Sequence, residues 1–281
     1  MPSRILIVGD TQRVLPIERL AFLRETNDAG RVAIGAAILA ELGDCIVHLG
    51  DLLGAVGSQR DWARFDGIYS PAVLAQKRFL VCRGNHDCGG FWMGNPRVFN
   101  DRYPETLGVL RVHELKFARL ILLDTNAAAM SPAAWQMQRE EFAAELQSAE
   151  GDPSVHNVFV FGHHPPFTNG RWHAPAQAVH DAFVPKFLKC TKTRAFFSGH
   201  VHGYERFVVE GRHFVVTAGG GGPRFVHLHG AKQRQRAALD LSDPHPLNYV
   251  SLEIDGAGFR AVAHGLAGTN ELTTIDSFAS T

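Results

Sequence analysis

The stretch "RILIVGDTQ", residues 4–12, sets a short apolar run directly before Gly9, Asp10, Thr11 and Gln12. Side chains alternate between the two faces of an extended segment, so Asp10 and Gln12 would point the same way. Two oxygen-bearing groups converging at a strand end can grip a cation. They equally suit an ordinary turn, because Asp and Gly are common turn formers. The choice depends on whether other apolar runs end in the same way.

Four others do. "CIVHL" (45–49) is followed by Gly50-Asp51, and "RFLVC" (78–82) by "RGNHD", with Asn85, His86 and Asp87. "NVFVF" (157–161) leads into "GHHPPF", with His163 and His164, and "AFFS" (195–198) into "GHVHGYER", with His200 and His202. The length and composition of these runs favour buried strands over helices. In open α/β sheets, functional groups gather at the carboxyl ends of strands, where loops from different strands converge. Each motif alone has a plain reading as turn chemistry. Jointly they place two carboxylates, one amide oxygen and at least three imidazoles at equivalent strand ends. That mixed O/N donor set suits a transition metal such as Mn, Fe or Zn.

Helical stretches lie between the early strands. In residues 29–42, Ile34, Ile38 and Leu42 recur every four positions, and in residues 132–149, Trp135, Phe142, Leu146 and Ala149 make a second apolar face. Ser131 is placed to cap the second helix, with Pro132 in its first turn. A later series, "FVV" (207–209), "HFVV" (213–216), "YVSLEI" (249–254) and "FRAVAH" (259–264), reads as hairpins. Alternating strands and helices followed by a strand-rich part predict a layered α/β sandwich with two sheets covered by helices. We expect one domain over 1–281, with 225–281 completing the second sheet.

The bulk composition excludes some classes. Lys plus Arg equals Asp plus Glu, 28 each in 281 residues, so no global field steers the protein to nucleic acid or acidic membranes. The basic run "KQRQR" (232–236) is short enough to be a solvated loop. Cys45, Cys82, Cys88 and Cys190 form no CxxC pair, and the first two sit in apolar runs, as buried thiols do. The N-terminus enters a strand without a signal-peptide h-region, and no window has the ~18 consecutive apolar residues of a membrane span. The expectation is a cytoplasmic protein without a membrane partner.

The ordered series "GD … GD … GNHD … GHH … GHVH" resembles the calcineurin-like metallophosphoesterases, from residue 5 to about residue 220. "GHVHGYER" is nearest to the purple acid phosphatase version of the last motif. The resemblance implies a four-layer αββα sandwich of two mixed sheets flanked by helices. It also implies a phosphoesterase with two divalent or mixed-valence metal ions (Mn, Fe or Zn), acting on a phosphorylated small molecule or nucleotide. By that resemblance Asp51 bridges the metals. Asp10 and His202 complete one site, and Asn85, His163 and His200 the other. His86 matches the histidine that meets the phosphate and protonates the leaving group, and His164 is at most a pocket or supporting residue.

Two positions depart from the pattern. Gln12 stands where most members have a ligand His, and either offers its carbonyl oxygen or stands behind a water. An amide is a weaker ligand than imidazole, so the first site should be more oxygen-rich and favour Mn or Fe over Zn. Gly54 stands where many members have an Asp that orients the catalytic His, and glycine has no side chain to do so. These departures motivate an alternative: a metal- or phosphate-binding protein of the same fold with little catalysis. A nuclease acting on DNA ends is a lower-ranked alternative, for want of an extended basic surface. "TAGGGGP" (217–223) lacks the Lys-Ser/Thr of a P-loop and reads as a flexible turn at the pocket rim, where it could touch phosphate. Arg171, Arg206 and Arg224 are candidates for a substrate anion or for surface ion pairs. "NGRWHAP" (169–175) and "DCGGFWMGNPR" (87–97), each with a Trp, are candidate selectivity loops, although core packing accounts equally well for Trp92.

Overall fold

The computed structural model describes residues 2–15, 19–20, 23–55, 58–70, 74, 77–89, 94–107, 110–267 and 271–280. Its first part runs β1 (Ser3–Val8), α1 (Asp28–Ala40), β2 (Cys45–His48), α2 (Gln59–Ile68), β3 (Arg78–Val81), α3 (Arg97–Arg102), β4 (Arg111–Leu115), β5 (Ala118–Leu122) and α4 (Pro132–Gly151). It continues with β6 (Asn157–Phe161), α5 (Gln177–Lys189), β7 (Thr193–Ser198), β8 (Tyr204–Val209), β9 (Arg212–Thr217), β10 (Leu247–Ile254), β11 (Phe259–Ala267) and β12 (Glu271–Ala279). The five motif-bearing runs are β1, β2, β3, β6 and β7.

The strands form two mixed sheets of six, ordered β12-β11-β10-β1-β2-β3 and β4-β5-β6-β7-β9-β8. In each, the motif strands are parallel to one another, so their carboxyl ends share one edge. The period of two sorts the core. Ile5 and Ile7 of β1 face the other sheet and pack in one cluster with Leu120, Phe159 and Phe197. Leu6 and Val8 face outward onto Ile34 and Ile38 of α1 and Phe65 of α2. Val158 and Val160 of the second sheet likewise face outward onto Phe142 of α4 and Phe183 of α5. The result is helix, sheet, sheet, helix, as the sequence implied.

Helix α4 begins as expected, with Ser131 Oγ accepting the Ala134 N–H at 3.2 Å. Helix α1 ends at Ala40, so Leu42 lies outside it and is exposed rather than on its apolar face. The C-terminal strands do not complete the second sheet. They extend the first, because β10 pairs antiparallel with β1, Ile5 opposite Leu252. All four cysteines are free, with Cys45 and Cys82 buried. Trp92 lies outside the described residues. No described helix is long and apolar enough to cross a membrane.

Candidate metal centre

The residues singled out at the strand ends come together. Asp10 and Asp51 are buried, and both adopt positive φ, 61° and 54°, as does His200 at 69°. Such left-handed backbone at non-glycine residues costs energy and concentrates at functional sites. It turns each side chain inward from the strand end. Asp51 Oδ2 lies 3.4 Å from His163 Nε2 and 3.2 Å from Gln12 Nε2. Asp10 Oδ1 lies 3.4 Å from His202 Nε2. On the far side, His163 Nε2 is 3.0 Å from Asn85 Oδ1 and 3.2 Å from His200 Nδ1.

Backbone groups fix how these side chains present themselves. His163 donates Nδ1–H to Leu49 O at 2.9 Å, and His202 donates Nδ1–H to Pro223 O at 2.6 Å. Both tautomers are thereby set, leaving each Nε2 lone pair aimed at the carboxylates. That is the usual support of a metal-ligating histidine. Asp51 also accepts the His86 N–H at 2.9 Å, and Asp10 accepts the His200 N–H at 3.0 Å. Gly84 sits so close to Asp51 that a Cβ there would lie 2.1 Å from Oδ1, which accounts for the glycine before "NHD".

The cluster attracts positive charge. Burial works against an ionised Asp51, but His163 and His86 hold its carboxyl well below the usual range. Burial also works against a charged His163, yet the Asp51 carboxylate carries that imidazole up to about 9. Burial raises Asp10, against the pull of His202. A site that draws protons onto an imidazole between two carboxylates will exchange them for metal ions. The donor atoms fit that exchange, since one each from Asp10, Asp51 and His163 lie within 4.8 Å of one another, as do one each from His163, His164 and His200. Gln12 supplies a further sign. Its buried Oε1 has no hydrogen-bond partner, while Nε2 sits 3.0 Å from His202 Nε2. Turning the amide over brings the oxygen, the end with lone pairs, among the other donors.

His86 is oriented in a way that residue types do not reveal. Its Nδ1 donates to the backbone carbonyl of Gly54 at 3.1 Å, leaving Nε2 3.9 Å from Asp51 Oδ2. The expectation that Gly54 cannot orient the histidine is therefore corrected, because its main chain does so. A Cβ at Gly54 would come within 2.4 Å of Arg13 O, so no side chain fits there.

Asp87 belongs to the same framework. Fully buried, it accepts the N–H groups of Asp51 at 2.7 Å, Gly84 at 2.9 Å and Leu52 at 3.2 Å, tying two motif loops together. Arg31 of α1 reaches Thr11 O at 2.7 Å, Gln12 O at 3.0 Å and Gly221 O at 2.8 Å. The glycine-rich segment is buried rather than a flexible rim. Its Gly220 and Gly222 N–H groups donate to Gly9 O and Asp10 O, both at 2.9 Å. His164 stands beside the cluster, its ring 4.6 Å from that of His200 and its Nδ1 3.1 Å from Thr125 Oγ1.

A cavity of about 130 Å³ opens over the centre, and Arg24, His173 and Phe225 line its outer part. Phe225 stacks on His202 at 4.1 Å and on His173 at 4.4 Å, and the Arg24 guanidinium lies 4.8 Å from its ring centroid. Of the three arginines weighed for a substrate anion or for surface ion pairs, two form ion pairs and the third lies over an aromatic ring. Arg206 forms a bidentate pair with Asp276 at 2.6 and 3.0 Å, Arg224 one with Glu25 at 2.7 and 2.8 Å, and Arg171 lies over Trp172. Of the two expected selectivity loops, 169–175 reaches the cavity through His173.

Comparisons with known proteins agree with this architecture. No curated protein matches the sequence. Among solved structures, the chain is similar to the purple acid phosphatase PPD1 of yellow lupin (Lupinus luteus), with a TM-score of 0.70 and 16% identity over 99% of this chain. It spans only 53% of that longer protein. The dimetal phosphatase of Danio rerio gives a TM-score of 0.65 at 16% identity, covering 100% of this chain and 99% of that one. GAP50 of Plasmodium, described as the anchor in the inner membrane complex, gives 0.68 at 14% identity, covering 99% and 88%. At such identities the likeness is one of fold. The sequence profile of the calcineurin-like phosphoesterases matches residues 3–204, and the chain belongs to that family of metal-dependent phosphoester hydrolases.

Proposed function

We propose that the chain hydrolyses a phosphomonoester or phosphodiester at a two-cation centre. Asp10, Gln12, Asp51 and His202 would hold one cation, and Asp51, Asn85, His163 and His200 the other. The observation that carries this reading is the pair of histidines, His163 and His202, whose Nδ1–H groups are tied to backbone carbonyls so that both Nε2 atoms face Asp51 and Asp10. Two such cations, when bound, activate a water and neutralise charge on the phosphoryl group. The chain's own part is to position and to move a proton. With Nδ1–H held by Gly54 O, His86 Nε2 is the ring nitrogen left free to face the phosphoryl group, and it would give a proton to the leaving oxygen. The Gln12 amide makes the first cation site the weaker and more oxygen-rich, which favours Mn or Fe over Zn there. The small cavity, with Arg24 and Phe225 at its edge, suits a phosphorylated small molecule or nucleotide in the cytoplasm.

The test is hydrolysis of p-nitrophenyl phosphate against its bis-ester with Mn²⁺, beside a His86→Ala control. Turnover of either ester that the control lacks supports the reading, and the preferred ester sets the substrate class. No turnover above the control with Mn, Fe or Zn would favour the second reading, a metal- or phosphate-binding protein of this fold. Gln12 in place of a ligand histidine is the observation behind that second reading.

A further inference from the structure

Residues 218–246 join β9 to β10 with no regular structure among them beyond an isolated bridge from His227 to Gly170 and a short turn of 3-10 helix at Gly230–Lys232. A connection of this length needs something to hold it. Asn169 and Gly170 hold its middle through Gln235 and Arg234, and three imidazoles gather around the Asp243 carboxylate near its end. Asp243 Oδ1 lies 3.3 Å from His227 Nδ1 and 3.9 Å from His245 Nε2, while its Oδ2 lies 3.0 Å from His229 Nε2. His227 and His245 are buried, and their rings stack with centroids 3.8 Å apart. His229 also has Asp240 Oδ1 at 2.8 Å from its Nδ1, which leaves the two buried imidazoles, His227 and His245, facing the same oxygen of Asp243. That grouping matches what a metal needs.

We propose that His227, Asp243 and His245 form a second metal site, separate from the strand-end centre, that takes a divalent transition cation of the zinc type. One donor atom from each of the three already lies within 4.8 Å of the others. His229, whose Nε2 lies 3.0 Å from the second oxygen of Asp243, would be a fourth donor. Imidazole and carboxylate in a four-coordinate set are the usual donors of zinc. The surroundings of His227 supply an independent sign. Its Nε2 is buried without a hydrogen-bond partner and points towards Glu205 Oε2 at 4.0 Å. A metal on Nδ1 places a proton on Nε2, and Glu205 is the carboxylate that would accept it, the common outer support of a ligating histidine. Glu205 is itself fixed by the Asn169 N–H at 2.8 Å. A bound cation lies in the plane of each imidazole it meets, so the stacked rings must part. His245 would rotate and give up both its contact with Leu241 O, 3.1 Å away, and the Tyr204 N–H that its Nδ1 accepts at 3.3 Å.

The site would clamp the segment that serves the catalytic cavity. Pro223 and Phe225, just before His227, respectively accept the His202 Nδ1–H and stack on the same ring. The experiment measures zinc per chain after reconstitution and desalting, for the wild type, Asp243→Asn and His245→Gln, with circular dichroism to show that each is folded. The wild type should retain one equivalent more than either variant, and zinc should raise its melting temperature more. Equal zinc content in the wild type and in whichever variant folds would overturn the proposal. Because the readout is a difference of one equivalent, it stands even if the strand-end centre proves inactive.

Discussion

Replacing Asp87 tests whether the strand-end loops are held by one buried carboxylate. Its oxygens accept three backbone N–H groups, from Asp51, Gly84 and Leu52, at 2.7, 2.9 and 3.2 Å. Hydrogen bonds to a charged acceptor contribute about 1.5–3 kcal/mol each. They are not additive where one water can re-enter and serve several donors. Burial and the neighbouring Asp51 raise the Asp87 carboxyl to about 7, which discounts the full ionic value near neutrality. Asp87→Ala should therefore cost about 3–5 kcal/mol of stability. Asp87→Asn keeps an oxygen for Asp51 and Gly84 but sets an NH₂ against the Leu52 N–H, and should cost about 1–2 kcal/mol. Urea unfolding of the metal-free protein, with an unchanged slope, measures both. If Ala costs less than about 1 kcal/mol, or if Asn costs as much as Ala, the carboxylate is not what holds the loops.

Three further expectations follow from particular contacts. His86→Ala should lower kcat by about 10²- to 10⁴-fold while leaving metal content unchanged, and equal loss of metal and rate would show a structural role instead. Arg31→Met leaves the carbonyls of Thr11, Gln12 and Gly221 without their donor and should cost at least about 2 kcal/mol by urea unfolding, a wild-type midpoint being the contrary result. Burial would raise Glu25, but hydrogen bonds from Arg224 and Asn27 prevail and leave it at about 2. A carboxyl lowered in the folded state adds stability above its unfolded pKa, about 4.5, which is lost as pH falls through the folded value. The melting temperatures of the wild type and Glu25→Gln should thus differ near neutrality and converge towards about pH 2; a constant gap would count against the pairing.

The strand ends were legible because buried parallel strands are compact apolar runs and each motif follows one directly. The α4 start was legible for an equally local reason, the Ser131-Pro132 signal. Helix α5 escaped the periodicity because Pro185 lies inside it and interrupts the reading. Strand β12 escaped because it is an edge strand, mostly exposed and polar in "ELTT". Strands β10 and β11 were visible as strands, but the C-terminal part was given to the wrong sheet. The partner of β10, β1, lies at the opposite end of the sequence, and no local pattern encodes that pairing. At the site, residue types showed which side chains could meet. They could not show Gly54 acting through its carbonyl, or Arg24 and Phe225 meeting over the centre, since neither contact depends on a motif.

The most direct measurement is anomalous diffraction at the manganese edge from crystals grown with Mn²⁺. Two peaks should appear, one bounded by Asp10, Gln12, Asp51 and His202 and the other by Asp51, Asn85, His163 and His200. A single peak, or none among these residues, would contradict the two-cation account.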